Sequence, residues 1–113
     1  MKFSFRAGPS VFAFSLIEPS PLAEEVRVEG DWVVAYYVMP GVRKSEIEVY
    51  VDERLFVVRA PVSAKFPSWL PEEYRFETKL PRPVDPDTAT AKYRSGILEV
   101  RAKAKLGSRI SVG

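Results

Sequence analysis

The residue types on which most enzyme active sites depend are scarce in this chain of 113 residues, which contains no cysteine and no histidine. Without them the chain cannot form a Ser–His relay, a thiolate nucleophile or an imidazole metal site. Asp85 and Asp87 flank Pro86 and could act as paired carboxylates or as Ca²⁺ ligands, but Asp-Pro-Asp is more typical of a turn that hydrogen-bonds its own backbone. The glycines lack the spacing of a phosphate-binding or dinucleotide-binding loop. The sequence therefore predicts that the protein is not an enzyme, and it predicts no metal and no cofactor.

Apolar side chains in the N-terminal segment are the first candidates for a binding function. Residues 1–25 carry four phenylalanines, and Pro9, Pro19 and Pro21 interrupt any helix or strand period there. Several aromatic anchors in one flexible arm offer adaptable apolar area, which is typical of a promiscuous binder. They can contact unfolded proteins or neighbouring subunits, or they can pack on the rest of the chain. The predicted binding residues of the arm are Phe3, Phe5, Phe12 and Phe14.

Two further apolar residues occur at the C-terminus, where a frayed and polar end would be ordinary. Ile110 and Val112 lie two residues apart, so they project to the same side of an extended segment. Residues 106–109 form a short hinge before them, about 13–14 Å long when extended. The pair either packs on its own domain as the end of a strand, or it is available to bind another surface.

The residue pattern between these two ends predicts strands. Apolar and polar residues alternate over most segments, and proline and glycine separate them. Residues 31–39 are apolar on both faces, which predicts a strand covered on both sides. Residues 81–87 are interpreted as a rigid turn, and residues 94–96 as a hairpin turn in which Gly96 takes a positive φ. The predicted strands are residues 25–30, 31–39, 46–52, 53–60, 74–80, 88–93 and 97–104.

These seven short strands, with no convincing helix, predict an all-β fold: an antiparallel immunoglobulin-like β-sandwich with Greek-key connections. The length suits one domain, so we expect a flexible arm over residues 1–25, a sandwich over residues 26–105 and a tail over residues 106–113. The net charge of +2 comes without a polybasic run, which argues against nucleic acid and membrane partners. The lack of cysteine fits a reducing cytoplasm. The lack of Asn and Gln, with only two methionines and ten prolines, indicates a protein that works at high temperature.

Four motifs within residues 26–113 resemble those of the small heat-shock proteins, whose core is the alpha-crystallin domain. Residues 91–98, Ala-Lys-Tyr-Arg-Ser-Gly-Ile-Leu, are similar to the family's A-x-x-x-x-G-x-L signature. Residues 39–49 are similar to its L-P-G-V…I-x-V segment, and residues 80–87 to its L-P-x-x-V-D-P-D turn. The tail residues 110–112, Ile-Ser-Val, resemble its C-terminal I-x-I/V tripeptide. The order and spacing of the four motifs together indicate a member of this family. With the composition, the resemblance predicts a thermophilic prokaryote as the source.

The resemblance implies an ATP-independent chaperone, a holdase that binds partly unfolded client proteins and limits their aggregation. It also implies a homo-oligomer built from dimers, in which the tail fills an apolar groove of another subunit. The groove residues that the resemblance implies are Ile47, Val49, Val51, Ala89 and Ala91. Many members dimerise through a strand exchanged from a long loop, but the corresponding loop, residues 61–73, is short here. A CS-domain-like co-chaperone or adaptor, which binds one folded partner as a monomer, is the alternative.

Overall fold

A computed structural model of the chain describes residues 4–7 and 23–105, which form eight strands and one turn of 3₁₀ helix at Lys44–Glu46. The strands are β1 (Ser4–Ala7), β2 (Glu24–Glu29), β3 (Trp32–Val38), β4 (Glu48–Asp52), β5 (Leu55–Pro61), β6 (Glu73–Lys79), β7 (Val84–Arg94) and β8 (Ile97–Ala104). One sheet has the order β1-β4-β5-β6 and the other β2-β3-β8-β7. All pairs are antiparallel except β1–β4, which is parallel. The predicted all-β sandwich is confirmed.

The core lies between the inner faces of the two sheets, where alternate residues of each strand meet. On β3 the inward residues are Val33, Ala35 and Tyr37, all fully buried. On β4 and β5 the alternate residues Val49 and Phe56 are buried in the same cluster. The alternation of apolar and polar residues places these apolar side chains on the inner face, because successive residues of a strand point to opposite faces of a sheet.

β3 is apolar on both faces, and its second face is covered by side chains of the neighbouring strands. Val34 is fully buried on this face although it lies outside the core cluster. Its cross-strand partners are Arg27 on β2 and Arg101 on β8. The guanidinium carbon of Arg27 lies 5.8 Å from the ring centroid of Tyr36, and that of Arg101 lies 5.5 Å from the ring of Trp32. The long arginine stems therefore provide part of the second cover that the sequence predicted.

The interpretation of residues 81–87 as a turn is wrong in its second half, because β7 begins at Val84. The N–H group of Val84 donates to the carbonyl of Glu53, and its side chain is buried in the core. The register between β7 and β8 shifts between Asp85 and Thr90, so a bulge interrupts this strand. A proline can occupy a bulge without costing a ladder hydrogen bond, which is why the Asp-Pro-Asp sequence lies inside a strand.

The hairpin between β7 and β8 has the geometry that the sequence predicted. Its two turn residues, Ser95 and Gly96, have φ angles of 52° and 78°. Positive φ at both positions is the signature of the two-residue turn that matches the twist of a hairpin. The N–H group of Met39 donates to the carbonyl of Gly96 over 2.7 Å, which attaches this turn to the end of β3.

Candidate binding surfaces

The two sides of the predicted tail groove lie next to each other in the structure. β4 and β7 belong to different sheets and contact each other at one edge of the sandwich. The β4 side, with Ile47 just before the strand, is fully buried. On β7, Ala89 and Ala91 are partly buried and pack against the core. The structure thus brings together the predicted groove residues, which are Ile47, Val49, Val51, Ala89 and Ala91.

β1 lies along the outer edge of β4, on the groove side of the first sheet. The parallel register sets Phe5 beside Val49 and Ala7 beside Val51. A strand edge accepts one partner at a time, because each outward-pointing N–H and C=O group pairs once along the ladder. In this structure the edge of β4 is therefore already paired by a segment of the N-terminal arm.

Several predicted binding residues lie outside the described residues. Of the arm phenylalanines, only Phe5 is included, as a backbone position of β1. The predicted binding residues of the arm and tail that lie outside the described ranges are Phe3, Phe12, Phe14, Ile110 and Val112. Their roles in client binding and in the tail remain predictions.

The connection between β5 and β6 presents two aromatic side chains to solvent. Phe66 is 84% exposed and Trp69 is 78% exposed, the highest values among the described large apolar residues. The loop itself is attached at its base, since the N–H groups of Ser63 and Ala64 both donate to the carbonyl of Gly41. Both aromatic side chains therefore face outward.

Gly41 is the residue on which this loop packs. It has a φ angle of 88°, and a Cβ atom there would lie 3.1 Å from Cβ of Ala64 and 3.2 Å from Cδ1 of Leu70. Leu70 is therefore the inward-facing apolar residue of the loop, in contrast to Phe66 and Trp69. The loop holds its position because glycine allows both the backbone conformation and the close approach.

Two tyrosines donate hydrogen bonds to the backbone just before Gly41. Tyr74 donates a hydrogen bond to the carbonyl of Pro40 over 2.8 Å, and Tyr93 donates to the carbonyl of Met39 over 2.6 Å. Partial burial raises the pKa of both phenols, so they remain neutral donors at physiological pH. Val38 and its cross-strand partner Ile97, each more than two-fifths exposed at 45% and 44%, lie at this same end of the sandwich. We call Val38, Phe66, Trp69 and Ile97 the apolar end.

Several acidic side chains of the described residues have structural partners. The carboxylate of Asp85 accepts a hydrogen bond from the N–H group of Asp87 over 3.0 Å, so it bonds the local backbone as the sequence predicted, although at the irregular part of β7 and not in a turn. Glu73 pairs with Arg59 at 3.1 Å and with Arg75 at 2.9 Å, beside an open cleft of about 320 Å³. Among residues 4–7 and 23–105, no group of three or more acidic side chains is placed to hold a metal ion.

One polar network crosses the core. The hydroxyl of Thr78 on β6 donates to Glu24 on β2 over 2.5 Å, and it lies 2.7 Å from the hydroxyl of Tyr37 on β3. Thr78 has a single hydroxyl proton, which goes to Glu24, so Tyr37 is the donor in the second bond. Burial raises the pKa of Tyr37 strongly, so this phenol stays protonated and serves packing rather than chemistry.

In the part of the chain that the structure describes, no helix is long and apolar enough to cross a membrane. Among the described residues, the exposed apolar surface lies mainly at the apolar end, whereas the β4 residues of the predicted groove are buried and the edge of β4 is paired with β1. Binding through the apolar end requires no reacting group.

Comparisons with known proteins agree on one family. The profile of the Hsp20/alpha crystallin family matches residues 24–111. Heat shock protein 16.0 from Schizosaccharomyces pombe is 21% identical, with a TM-score of 0.62 over 85% of this chain and 100% of that one. A small heat-shock protein from Xylella fastidiosa is 22% identical, with a TM-score of 0.64 over 80% and 94% of the two chains. The hspA protein from Xanthomonas axonopodis is 25% identical, with a TM-score of 0.62 over 73% and 91%. No curated protein matches the chain in the sequence comparison.

Proposed function

Because the chain belongs to the Hsp20/alpha crystallin family, we propose that it is an ATP-independent holdase that binds partly unfolded proteins and suppresses their aggregation under heat stress. The observation that carries this proposal is the extent of the family match, residues 24–111, which spans the sandwich and reaches Ile110 of the tail. The fold shared with small heat-shock proteins supports it.

The apolar surfaces support binding of many different unfolded proteins. Burial of apolar area is non-directional, so a surface that works through it tolerates clients of any sequence. Phe66 and Trp69 offer such area on an anchored loop. The arm phenylalanines are the proposed client-binding residues, and they are Phe3, Phe5, Phe12 and Phe14.

We propose that the protein assembles into a homo-oligomer built from dimers, with the tail of one copy in the β4–β7 groove of another. Burial of Ile110 and Val112 would contribute roughly 3–6 kcal/mol before the cost of ordering the tail, so a single contact is weak and reversible. Contacts repeated around a closed assembly become collectively strong. Because β1 pairs with the outer edge of β4 in this structure, a tail that adds a strand there has to displace Ser4–Ala7.

The proposed clients are proteins, with no nucleic acid and no membrane among the partners. A small net charge of +2 without a basic run supports this. We place the protein in the cytoplasm of an organism that grows hot, on the basis of a sequence without Cys, Asn or Gln.

The test is protection of a thermolabile client. We expect the purified protein, without ATP, to suppress light scattering of a heated client enzyme at about equal subunit concentration. Unchanged client aggregation at a severalfold excess of the protein would refute the holdase proposal. Native mass spectrometry distinguishes the holdase from the alternative, a CS-domain-like adaptor. An adaptor that binds one folded partner as a monomer has the mass of a single chain.

A further inference from the structure

The outer face of β3 is apolar, although it has no sheet partner among residues 4–7 and 23–105. Antiparallel sheets with one face in water normally alternate between apolar inward residues and polar outward residues. β3 departs from this rule over its whole length, and Ile97 on β8 extends the apolar area because it lies opposite Val38. We call these outward residues the outer stripe, and they are Trp32, Val34, Tyr36, Val38 and Ile97.

The outer face of the other sheet is mainly polar. The outward residues of β6 are all charged, and those of β4 are Glu48, Tyr50 and Asp52. Apolar outward residues of this sheet, such as Leu55 and Val57, lie on β5 between these two polar strands. An apolar segment that crosses the outside of the sandwich is therefore better matched by the outer stripe.

The described residues cover the outer stripe only in part. Val34 is fully buried, and Trp32 and Tyr36 are partly exposed. Val38 and Ile97, at one end of the stripe, are 45% and 44% exposed. The stripe therefore leaves apolar area for a further partner, most of it toward the end of β3.

Residues 8–22 connect β1 to β2, and the positions of their two neighbours constrain their route. Ala7 is paired with Val51, at the edge of the sandwich where β4 contacts β7. The carbonyl of Ala23 accepts a hydrogen bond from the N–H group of Val38 over 2.8 Å, just before β2. Because β7 and β2 are the two outer strands of one sheet, this connecting segment has to pass from one side of that sheet to the other.

The two fixed points also lie at opposite ends of the sandwich. Ala7 is near the β4–β5 turn, and the start of β3 lies at the same end, since Val84 N–H donates to Glu53 and its strand partner Ala104 donates to Asp31. The connecting segment ends beside the last residue of β3. A path over the outer face follows the stripe for about 20 Å and crosses about 14 Å of sheet, and fifteen residues can span about 50 Å.

The composition of the connecting segment suits this path. Its one charged residue is Glu18, and its middle carries Phe12 and Phe14, followed by Leu16 and Ile17. Burial of such side chains against apolar surface is favourable, whereas burial against the charged side chains of β6 would remove polar groups from water.

A second copy of the same face is a poorer cover for the stripe. Arg27 and Arg101 lie on either side of Val34, directly opposite it on the neighbouring strands. Stacking two copies about a two-fold axis through Val34 therefore sets arginine against arginine, whether the axis runs along the strands or across them. The axis along the strands also sets Glu25 against Glu99. Facing like charges are unfavourable, so an occupant with few charges fits better.

We propose that residues 8–22 dock on the outer stripe of their own copy, with Phe12 and Phe14 packed against Trp32 and Tyr36. The segment completes the cover that the arginine stems begin. Contacts between aromatic rings add to the plain burial of apolar area, so these four residues form the centre of the contact. The docking concerns the fold of a single copy, and it holds whether or not the protein binds clients.

Trp32 is a fluorescent reporter within the stripe. The chain has two tryptophans, and Trp69→Phe removes the other one, which is 78% exposed on the β5–β6 connection. In this reporter protein, Phe12→Ser with Phe14→Ser should raise the acrylamide quenching constant of Trp32 at least about twofold, because two aromatic side chains no longer cover it. The emission maximum should move to longer wavelength.

Matched variants separate docking from a general effect of substitution. Phe3→Ser with Phe66→Ser makes the same two changes outside residues 8–22 and outside the stripe, and it should leave the quenching unchanged. Phe12→Leu with Phe14→Leu keeps the segment apolar and should retain most of the shielding. Circular dichroism checks each fold, and if the serine pair loses the β signal, the single changes Phe12→Ala and Phe14→Ala give the same readout.

Equal quenching in the serine pair and its matched control would overturn the docking. A segment from another copy is tested by refolding reporter chains with the serine pair from urea together with an excess of chains that carry Trp32→Phe and Trp69→Phe. Shielding that stays absent supports docking within one copy, and shielding that returns would overturn it. Failure of the wild type to protect a heated client would refute the holdase and leave these quenching results unchanged.

Discussion

At the scale of single residues, Thr78 connects three strands through one hydroxyl group. It accepts a hydrogen bond from Tyr37 on β3 and donates one to Glu24 on β2, while its own strand lies in the opposite sheet. Tyr37 is fully buried, so no solvent can replace its acceptor. The network therefore joins the two sheets at a point where an unpaired hydroxyl would be costly.

We expect Thr78→Val to destabilise the protein, although valine has nearly the same shape. The change leaves the Tyr37 hydroxyl buried without an acceptor, which costs about 1–3 kcal/mol of unfolding free energy. Urea unfolding followed by circular dichroism measures the loss. The double variant Tyr37→Phe with Thr78→Val leaves no buried hydroxyl unpaired, so it should recover part of the lost unfolding free energy. Equal losses in the single and double variants would argue against the network.

Tyr37 also makes stability dependent on pH at the alkaline end. Burial raises its pKa above the ordinary value of 10.0, so the folded chain holds this proton more tightly than the unfolded chain. The stabilisation of the folded state by protonated Tyr37 is complete below pH 10. It is lost as pH rises further, and the free energy of unfolding then falls by up to about 1.4 kcal/mol per pH unit. Urea titrations between pH 8 and 11 should show a steeper decline for the wild type than for Tyr37→Phe. Parallel declines would mean that Tyr37 does not titrate differently in the two states.

At the scale of elements, the arm and the β5–β6 connection are two apolar candidates for holding clients. Residues 1–25 carry the arm phenylalanines, and Phe66 and Trp69 lie on a loop attached to Gly41. The exposed pair contributes little to the core, so surface substitutions there should change stability by no more than about 0.5 kcal/mol. Client protection can therefore be measured on intact sandwiches.

Deleting residues 1–22, which stops before Ala23 and β2, should leave the sandwich folded and reduce protection of a heated client, because four apolar anchors are removed. Light scattering at equal subunit concentration gives the measurement. Phe66→Ser with Trp69→Ser removes the loop anchors instead, and Val28→Ser, at an exposed position on β2, is the matched control. Undiminished protection by the truncated protein would rule out the arm as the client-binding segment.

At the scale of the whole molecule, β1 occupies the edge of the sandwich beside which we propose that the tail binds. β1 pairs with the outer edge of β4 within one copy, and the proposed tail groove lies between β4 and β7. The proposed assembly would therefore depend on which segment pairs with this edge, since one ladder cannot pair with both.

Ile110→Ser with Val112→Ser should reduce the assembly to small species, mainly dimers, without unfolding the domain. The double change removes a few kcal/mol of apolar burial from each tail contact, and each contact has little free energy to spare. Size-exclusion chromatography with light scattering measures the mass, and circular dichroism checks the fold. An unchanged large oligomer would show that the tail is not the connector, and loss of the β signal would show that it packs on its own sandwich.

The sequence by itself determined the strands from β2 to β8, the inward face of most of them and the turn at Gly96. Each of these follows from local alternation or from a local φ requirement, which neighbouring residues set between themselves. The local pattern predicted the wrong start for β7, because Pro83 and Pro86 favour a turn. The N–H group of Val84, the first residue of the strand, donates a hydrogen bond to the carbonyl of the distant Glu53.

Only the tertiary structure decided which distant residues meet. Thr78 and Tyr37 are 41 positions apart, and β1 pairs with β4, which follows it by more than forty positions. Leu70 packs on Gly41, some thirty positions earlier in the chain, while Phe66 and Trp69 face solvent. Alternation specifies which face a side chain takes, but the partner on that face depends on how the sheets close over each other. That closure is a property of the whole chain, so no single segment encodes it.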